Sequence, residues 1–548
     1  MLRPDPLGPV PEDTARISHA AFPKGNLYLK LRDELGVLYA DEDFAALFPA
    51  LGQPALPPWR LALVTVVQFL ENLTDRQAAE QVRARLDLKY LLGLDLSDPG
   101  FDFSVLSEFR ARLVAGNAEH LLLDRMLTRF REKGLLKRRG QQRTDSTHVL
   151  AAIRHLTRIE FVAETFRATL NAVGRMAPDW LAPRLDPRWR EWYDHRIESY
   201  RFPQGADARL AYVRQVGQDG FSLLDRLHAD PSAAPLLSLP AVQTLELVWS
   251  QQFSRKAGEV QWKPGTAVPP SAQRPESPYD TEARFSTKRG RGWVGYKVHL
   301  TEACEPDLPE VITHVHISSS CTQDIQVMPT VHHALAAKEM LPRQHLVDSG
   351  YVSGTVMADS LEQHGVEVIG PTRPGANWQL RDPEAFKIDD FSIHWESQHA
   401  TCPQGQRSTS WLLGQSPENI PLVFVSFPRK VCQSCEVRAR CTKSTSDGRC
   451  LTLLRQPAFE ALQSMRKQQE TPEWKALYNR RSGIEGTVSV AVRAHGARTA
   501  RYRGEAKLRL QGMATAAGIN LGRVYAWWQG RPRAATRTAC FARLPATA

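Results

Sequence analysis

Along the first 137 residues, apolar positions recur at three- and four-residue spacing, the period of helices rather than strands. Pro58 opens an apolar run (Leu61, Leu63, Val64, Val67, Leu70) that ends near Leu73, and Thr74-x2-Gln77 then supplies a capping box for a second helix. After the Asp98-Pro99-Gly100 breaker, Phe103, Leu106, Phe109 and Leu113 make a further helical stripe that leaves Arg110 and Arg112 towards solvent. A helix, a tight turn and a helix suit a DNA reader, and equally the plain helical hairpin of proteins that never meet DNA.

The period then changes. Residues 143–149 (RTDSTHV) read as a strand, and a helical stretch over about 153–255 follows, with Trp180, Trp189 and Trp192 as core. Between Gly258 and Asp280 five prolines (264, 269, 270, 275, 278) predict a linker or loop. Residues 293–300 and 311–317 are strands. In the second, Val311, Thr313, Val315 and Ile317 alternate with Ile312, His314 and His316, which places the two histidines on the wetter face rather than at a metal; His332 and His333 read the same way. A strand at 345–347 delivers Asp348, followed by Gly350, and 366–369 is a fifth. Strands alternating with helices predict an α/β core. Leu510, Ala514, Ala517, Leu521, Val524 and Trp528 form the stripe of an amphipathic helix that packs on that sheet, and the basic tail beyond Gly530 is expected to be loosely ordered.

Composition narrows the class. At about 150 residues per domain, 548 residues make roughly three or four units. Apolar residues at 42% and charged residues at 24% exclude disorder, collagen and coiled coil. The longest near-apolar run, 61–67, is far short of the roughly 18–20 residues a membrane helix needs. The N-terminus, with prolines 4, 6 and 9 and no apolar h-region, is not a secretory signal, so a cytoplasmic protein is expected. Net charge is +11, and between Lys475 and Arg509 nine Lys or Arg face only Glu485 and Glu505. A solvated helix face accounts for scattered charge; charge so clustered favours a polyanion such as nucleic acid.

Two acids lie at strand signals, Asp145 within RTDSTHV and Asp348 in LVDSGY; an acid where a strand meets a loop is where α/β sheets gather ligand and metal sites, and an Asp that begins a turn is also the commonest N-cap. A third shifts the balance. Tyr478, Arg481 and Glu485 fall at spacings of three and four on a predicted helix, so they share a face, beside the apolar stripe of Leu477, Ile484, Val488 and Ala491. Such a trio makes either an internal salt bridge or a site. Gly483 and Gly486 each cost about 1 kcal/mol against Ala in a helix, which predicts a close approach to a neighbouring strand or a substrate backbone. The second chemical signal is Cys432-x2-Cys435-x5-Cys441, preceded by Cys402: four soft ligands suited to tetrahedral zinc, with Cys450 as an alternative and free thiols as the plain reading. Eight cysteines are too few for a disulfide scaffold, and Cys304, Cys321 and Cys540 read as ordinary packed residues.

With these residues in view, the chain resembles the Asp-Asp-Glu insertion-sequence transposases that carry a Tyr-x2-Arg-x3-Glu-x6-Lys signature. LRDELGVLYADEDFAALFP, LTDRQAAEQVRAR and FDFSVLSEFRARL are similar to their InsH-like N-terminal domain; ARFSTKRGRGWVGYKVHLTEAC and ARYRGEAKLRLQGMATAAGINL are similar to their catalytic core. The resemblance implies an α/β, RNase H-like catalytic core over 138–530. A helical insertion (about 153–280) and a cysteine-bearing zinc insertion (about 380–460) interrupt it, and an all-α DNA-binding domain over 1–137 precedes it. It implies Asp145, Asp348 and Glu485 as catalytic carboxylates holding two Mg²⁺ or Mn²⁺ ions, with Arg481 and Tyr478 on phosphate near the cleaved end. The signature's Lys falls on Val492; Arg493 lies beside it, turned about 100° around the helix. Arg284, Lys288, Arg289 and Arg291, and Arg493, Arg498, Arg501, Arg503 and Lys507, are expected along DNA, and processing two DNA ends together implies a homodimer. A metal-dependent nuclease without strand transfer, and a catalytically silent DNA-binding protein, are the alternatives.

Overall fold

The computed structural model describes residues 1–4, 8–256, 258–373 and 377–531. Among the described residues seven α-helices open the chain: α1 (Glu12–Ala21), α2 (Leu27–Leu35), α3 (Pro58–Leu70), α4 (Asp75–Ala84), α5 (Leu86–Leu92), α6 (Ser104–Ala115) and α7 (Leu121–Glu132). The expected capping box starts α4: the Gln77 N–H donates to the Thr74 hydroxyl at 3.3 Å, and the Thr74 N–H donates to the Gln77 side chain at 2.9 Å. Arg112 stays at the surface, but Arg110 does not. It is 7% exposed, turned inward to donate to Asp75 at 2.6 Å and Gln68 at 3.2 Å. A guanidinium that finds a carboxylate and an amide inside can leave water at little cost.

The strand β1 (Gln141–Leu150) follows, then α8 (Arg158–Met176), α9 (Pro178–Leu181), α10 (Pro187–Tyr193), α11 (Ala206–Ala229), α12 (Ala234–Leu237) and α13 (Pro240–Gln252). These helices bury their own core, with Trp189 and Trp249 inside and Trp180 and Trp192 at its edge. The Pro-rich stretch is more ordered than expected of a linker. Part of it, β3 (Glu259–Trp262), pairs with β2 (Phe253–Lys256), and Asp280 at its end is buried and accepts a hydrogen bond from Tyr296. The chain continues through β4 (Arg284–Lys288), β5 (Arg291–Ala303), β6 (Ile312–Ser319), α14 (Met328–Ala337), β7 (Gln344–Leu346), α15 (Gly354–His364) and β8 (Glu367–Ile369).

These strands make the main sheet. β1 lies at its centre, antiparallel to β5 and parallel to β7, and β7 is parallel to β8. Along β5, β4 pairs with residues 291–295 and β6 with residues 296–302, both antiparallel. Both faces of β6 are covered, so His314 is buried, contrary to the wetter face expected of it. Neither ring nitrogen has a hydrogen-bond partner among the described residues, and burial pushes its pKa well down.

A second excursion contains β9 (Ser392–His394) with β10 (His399–Thr401), then β11 (Ser410–Gln415), β12 (Pro421–Ser426), α16 (Arg429–Gln433), α17 (Arg438–Cys441) and β13 (Cys450–Leu454), around a small core that includes Phe391, Val425 and Leu451. Then come α18 (Gln456–Gln468), α19 (Pro472–Asn479), α20 (Gly483–Arg493) and α21 (Glu505–Trp528). The stripe expected on α21 is buried apart from Trp528, but so are Leu508, Met513, Ala516 and Ile519. The helix is sandwiched, with β6 on one side and α2, α3, α6 and α7 on the other. One core therefore runs from Phe69 and Phe130 through α21 to Val298 and Leu300 of the sheet, and the boundary expected near residue 137 falls inside it. The expected loose tail and Cys540 lie outside the described residues. Among the described residues no helix is long and apolar enough to cross a membrane.

Candidate active site

Asp145 sits at the middle of β1, and Asp348 stands two residues past β7, the parallel neighbour of β1. Adjacent strands thus set two carboxylates side by side. Each is oriented by its own chain: the Ser146 N–H donates to Asp145 at 2.7 Å, and the Gly350 N–H donates to Asp348 at 2.7 Å.

The third carboxylate comes from the far end of the chain. Tyr478, Arg481 and Glu485 do not lie on one continuous α-helix: α19 ends at Asn479, a 3₁₀ turn occupies Arg480–Ser482, and α20 starts at Gly483. The turn has a cause outside its own sequence. Arg143, on β1 two residues before Asp145, is buried and donates to the main-chain carbonyl of Arg480. Gly483 permits the approach, since a Cβ there would stand 2.3 Å from the Arg143 guanidinium. The close approach expected of Gly483 is therefore present; Gly486, for which the same was expected, faces open space. Arg143 itself is held by Glu302 at 2.6 Å and Glu310 at 2.8 Å. Glu302, fully buried, also accepts from Thr487 of α20 and from Arg523 of α21 at 2.7 Å.

At the end of this scaffold Arg481 faces all three acids. Its guanidinium lies 3.0 Å from Asp145, 3.9 Å from Asp348 and 3.4 Å from Glu485, with side-chain exposures of 12% for Arg481, 17% for Asp145 and 67% for Glu485. Burial raises the Asp145 pKa above its ordinary value, and Asp348 adds to the rise, while Arg481, Ser146 and Lys288 oppose it. Burial works against the Arg481 charge too, but Asp145, Tyr478, Asp348 and Glu485 together raise its pKa. Tyr478 is half-buried beside Arg481, its phenol pKa raised chiefly by burial, and its ring stacks on Trp474 with centroids 4.8 Å apart.

As they stand, no three His, Cys, Asp or Glu side chains among the described residues are close enough together to hold a metal ion. The carboxylate site nonetheless fits a hard cation: its donors are oxygens, and a positive group already lies among them. The buried Arg481 Nε–H, which has no hydrogen-bond partner among the described residues, fits an anion instead. The four cysteines also come together: Cys402, Cys432, Cys435 and Cys441 line one cavity. Burial, with Cys432, Cys402 and Cys435 nearby, pushes the Cys441 thiol up to about 11. Cys450 is turned away, its Sγ 3.0 Å from the Ser426 hydroxyl.

The basic residues divide into two groups. Lys288, Arg289 and Arg291 are exposed at the tip of the β4–β5 hairpin, as are Arg493 and Lys507; Arg503 is exposed too but stacks on Tyr279 and donates to the Ala152 carbonyl at 3.4 Å. Arg284, Arg498 and Arg501 are engaged with their own chain. Arg284 donates to the carbonyls of Ala272, Thr281 and Ala283, Arg498 to Thr147 and the His148 carbonyl, and Arg501 to Asn72 and the Leu73 carbonyl while stacking on Phe69.

Sequence reasoning passed over Arg143 and Glu302. The available signal was the strand period, which puts Arg143 on the same face of β1 as Asp145.

Comparison with known families gives two matches. Residues 401–525, which include Glu485 and the four cysteines, match the family described as "Transposase DDE domain", and residues 17–112 match the "Transposase domain (DUF772)". No curated protein and no solved structure matches the chain. A transposase match towards each end of the chain, and carboxylates from both halves meeting at Arg481, support a DDE insertion-sequence transposase.

Proposed function

We propose that the protein is a DNA transposase that cleaves the ends of its insertion sequence and joins them to target DNA. The observation that carries this reading is the convergence of Asp145, Asp348 and Glu485 on one guanidinium. The strand order supports the reading of an RNase H-like core, with β1, β5 and β6 antiparallel and β7 and β8 parallel beyond β1. Asp145, Asp348 and Glu485 would hold two Mg²⁺ or Mn²⁺ ions, Asp145 serving both and Asp348 and Glu485 one each. Bound there, such ions activate the attacking oxygen and stabilise the leaving one in an in-line displacement at phosphorus.

The chain's own residues do the rest. Arg481 and Tyr478 bind phosphate beside the scissile bond, Arg481 exchanging carboxylates for a phosphodiester that it can grip in bidentate fashion. Water is the first nucleophile, and the freed 3′-hydroxyl then attacks target DNA in the same site. Lys288, Arg289 and Arg291 meet the DNA backbone, and α3–α4 of the N-terminal helices read the element ends. Two copies act together, one at each end, in the cytoplasm. Cys402, Cys432, Cys435 and Cys441 would hold a structural Zn²⁺, which would stiffen the second excursion.

The test is incubation of the purified protein with Mg²⁺ and linear DNA spanning its own gene and flanks, alongside Asp348→Ala. Nicks at two discrete boundaries together with new joints, both lost in the variant, are the expected result. Cutting without joining makes the protein a nuclease, and binding that is identical in the variant without cutting makes it a DNA-binding protein.

A further inference from the structure

One acid beside the carboxylates has no part in that chemistry. Asp324 starts the 3₁₀ turn that follows β6 (Asp324–Gln326), and its side chain is 22% exposed. One carboxylate oxygen accepts from Lys297 of β5 at 3.1 Å; that amino group also donates to the Thr322 carbonyl at 2.7 Å, which fixes it in place. The other oxygen accepts from the Ser146 hydroxyl at 3.4 Å, directly after Asp145 in the chain. That second oxygen also faces Asp348 across Gly350. A Cβ on Gly350 would stand 2.8 Å from an Asp348 oxygen and 3.4 Å from this Asp324 oxygen, so glycine keeps a space open between the two carboxylates.

An ion pair serving only to tie β5 to the start of α14 has no need of that gap, nor of an oxygen turned to the catalytic side. We propose that Asp324 is a positioning residue of the active site. It adds a negative charge and a hydrogen-bond acceptor beside the cation site of Asp145 and Asp348 without being one of its ligands, and Lys297 tempers that charge. The inference rests on the reading of Asp145 and Asp348 as cation ligands. Outer carboxylates of this kind matter because they orient the inner ones and the water around them, and their loss costs about 10–100-fold in metal affinity.

The roles of the two partners separate by sign. If the pair is only a brace, removing either end loosens the same link, and both variants change cation binding in the same direction or not at all. If Asp324 acts on the site, removing its charge weakens cation binding, whereas removing the Lys297 charge strengthens it, because one repelling positive charge is gone.

The experiment titrates Mn²⁺ into the full-length protein without DNA, following free Mn²⁺ by electron paramagnetic resonance, with thermal melting of each variant in parallel. Asp324→Asn is expected to weaken Mn²⁺ binding about tenfold, Asp324→Glu to recover most of the loss, and Lys297→Met to tighten binding severalfold. Wild-type affinity in Asp324→Asn, or weakening in Lys297→Met, overturns the inference. Should Asp324→Asn fail to fold, Lys297→Met decides alone, since it leaves the carboxylate intact. Asp348→Ala separates the two levels: if it binds Mn²⁺ as the wild type does, the cation site itself is wrong and the role of Asp324 falls with it.

Discussion

The Arg143 guanidinium donates to the main-chain carbonyl of Arg480, across 337 residues of sequence, and so sets the residue before Arg481 against the strand that carries Asp145. Arg143 and Asp145 share a face of β1. The same strand therefore contributes one catalytic acid and the clamp that brings the opposing arginine to it.

The first prediction tests that clamp. Arg143→Met removes the guanidinium that Glu302 and Glu310 share but leaves Glu302 with Arg523 and Thr487, so the loss should stay below the roughly 3–5 kcal/mol of a buried charge stripped of its pairing. Gly483→Ala is the finer probe, because its added methyl displaces the guanidinium that lies 2.3 Å away. Overpacking of this size costs about 1–3 kcal/mol. Melting temperature and DNA cleavage measured together should show cleavage lost by Gly483→Ala at temperatures where the protein is still folded. Full cleavage in that variant would mean that the turn at 480–482 does not position Arg481.

The second prediction concerns pH. Burial raises the Asp145 pKa in spite of Arg481, so the folded chain binds this proton more tightly than the unfolded chain does. Stability contributed by such a group falls as pH rises: the ionised carboxylate is a cost at neutral pH, and the cost fades as pH drops from above the raised pKa to below about 3.9. Asp145→Asn should then melt higher than wild type at pH 8 without divalent ions, with the gap narrowing towards pH 4. Mg²⁺ should stabilise the wild type and not the variant. Equal melting of both proteins at pH 8 would show that the acid is comfortable where it sits.

What the sequence made legible was local. The α4 capping box, the period-two strands and the placement of Asp145 and Asp348 at strand signals each follow from a few neighbouring residues, whereas the pairing of β1 with β7 that sets the two acids side by side does not. Gly483 announced a close approach by standing where a helix least tolerates it. What stayed hidden depended on partners far along the chain. Arg110 reads as surface until Asp75 and Gln68 arrive from two other helices, and His314 reads as surface until both faces of β6 are covered. The helix expected through 478–485 tightens into a 3₁₀ turn where Arg143 donates to the Arg480 carbonyl, and Asp324 gains meaning only beside Lys297, Ser146 and Gly350.

The third prediction addresses the cysteines. Metal analysis of the purified chain should find one zinc per copy, lost in Cys432→Ser and in Cys435→Ser. Cys450→Ser should keep it, since that thiol points at Ser426 and away from the cavity. A chelator should open the segment over 380–460 to protease while the main sheet stays protected. Zinc-free protein with the same protease pattern would leave four ordinary thiols.

The last prediction separates basic residues that meet DNA from those that hold the protein together. Arg501 is expected along DNA from its place in a basic segment, yet it stacks on Phe69 and bonds to Asn72 and the Leu73 carbonyl, linking the loop before α21 to the end of α3. Replacing it with Ala should lower stability and leave the salt dependence of DNA binding as it was. Lys288, Arg289 and Arg291 are exposed at the hairpin tip, close enough to the site for Lys288 to act on the Asp145 charge. Each phosphate left without its cation there should shallow the log–log slope of affinity against salt by about 0.9. The measurement is DNA affinity across a salt series for Arg501→Ala and for the triple alanine variant of the tip. A slope that falls in the first and holds in the second would move the DNA path from the hairpin to the seam between the N-terminal helices and α21.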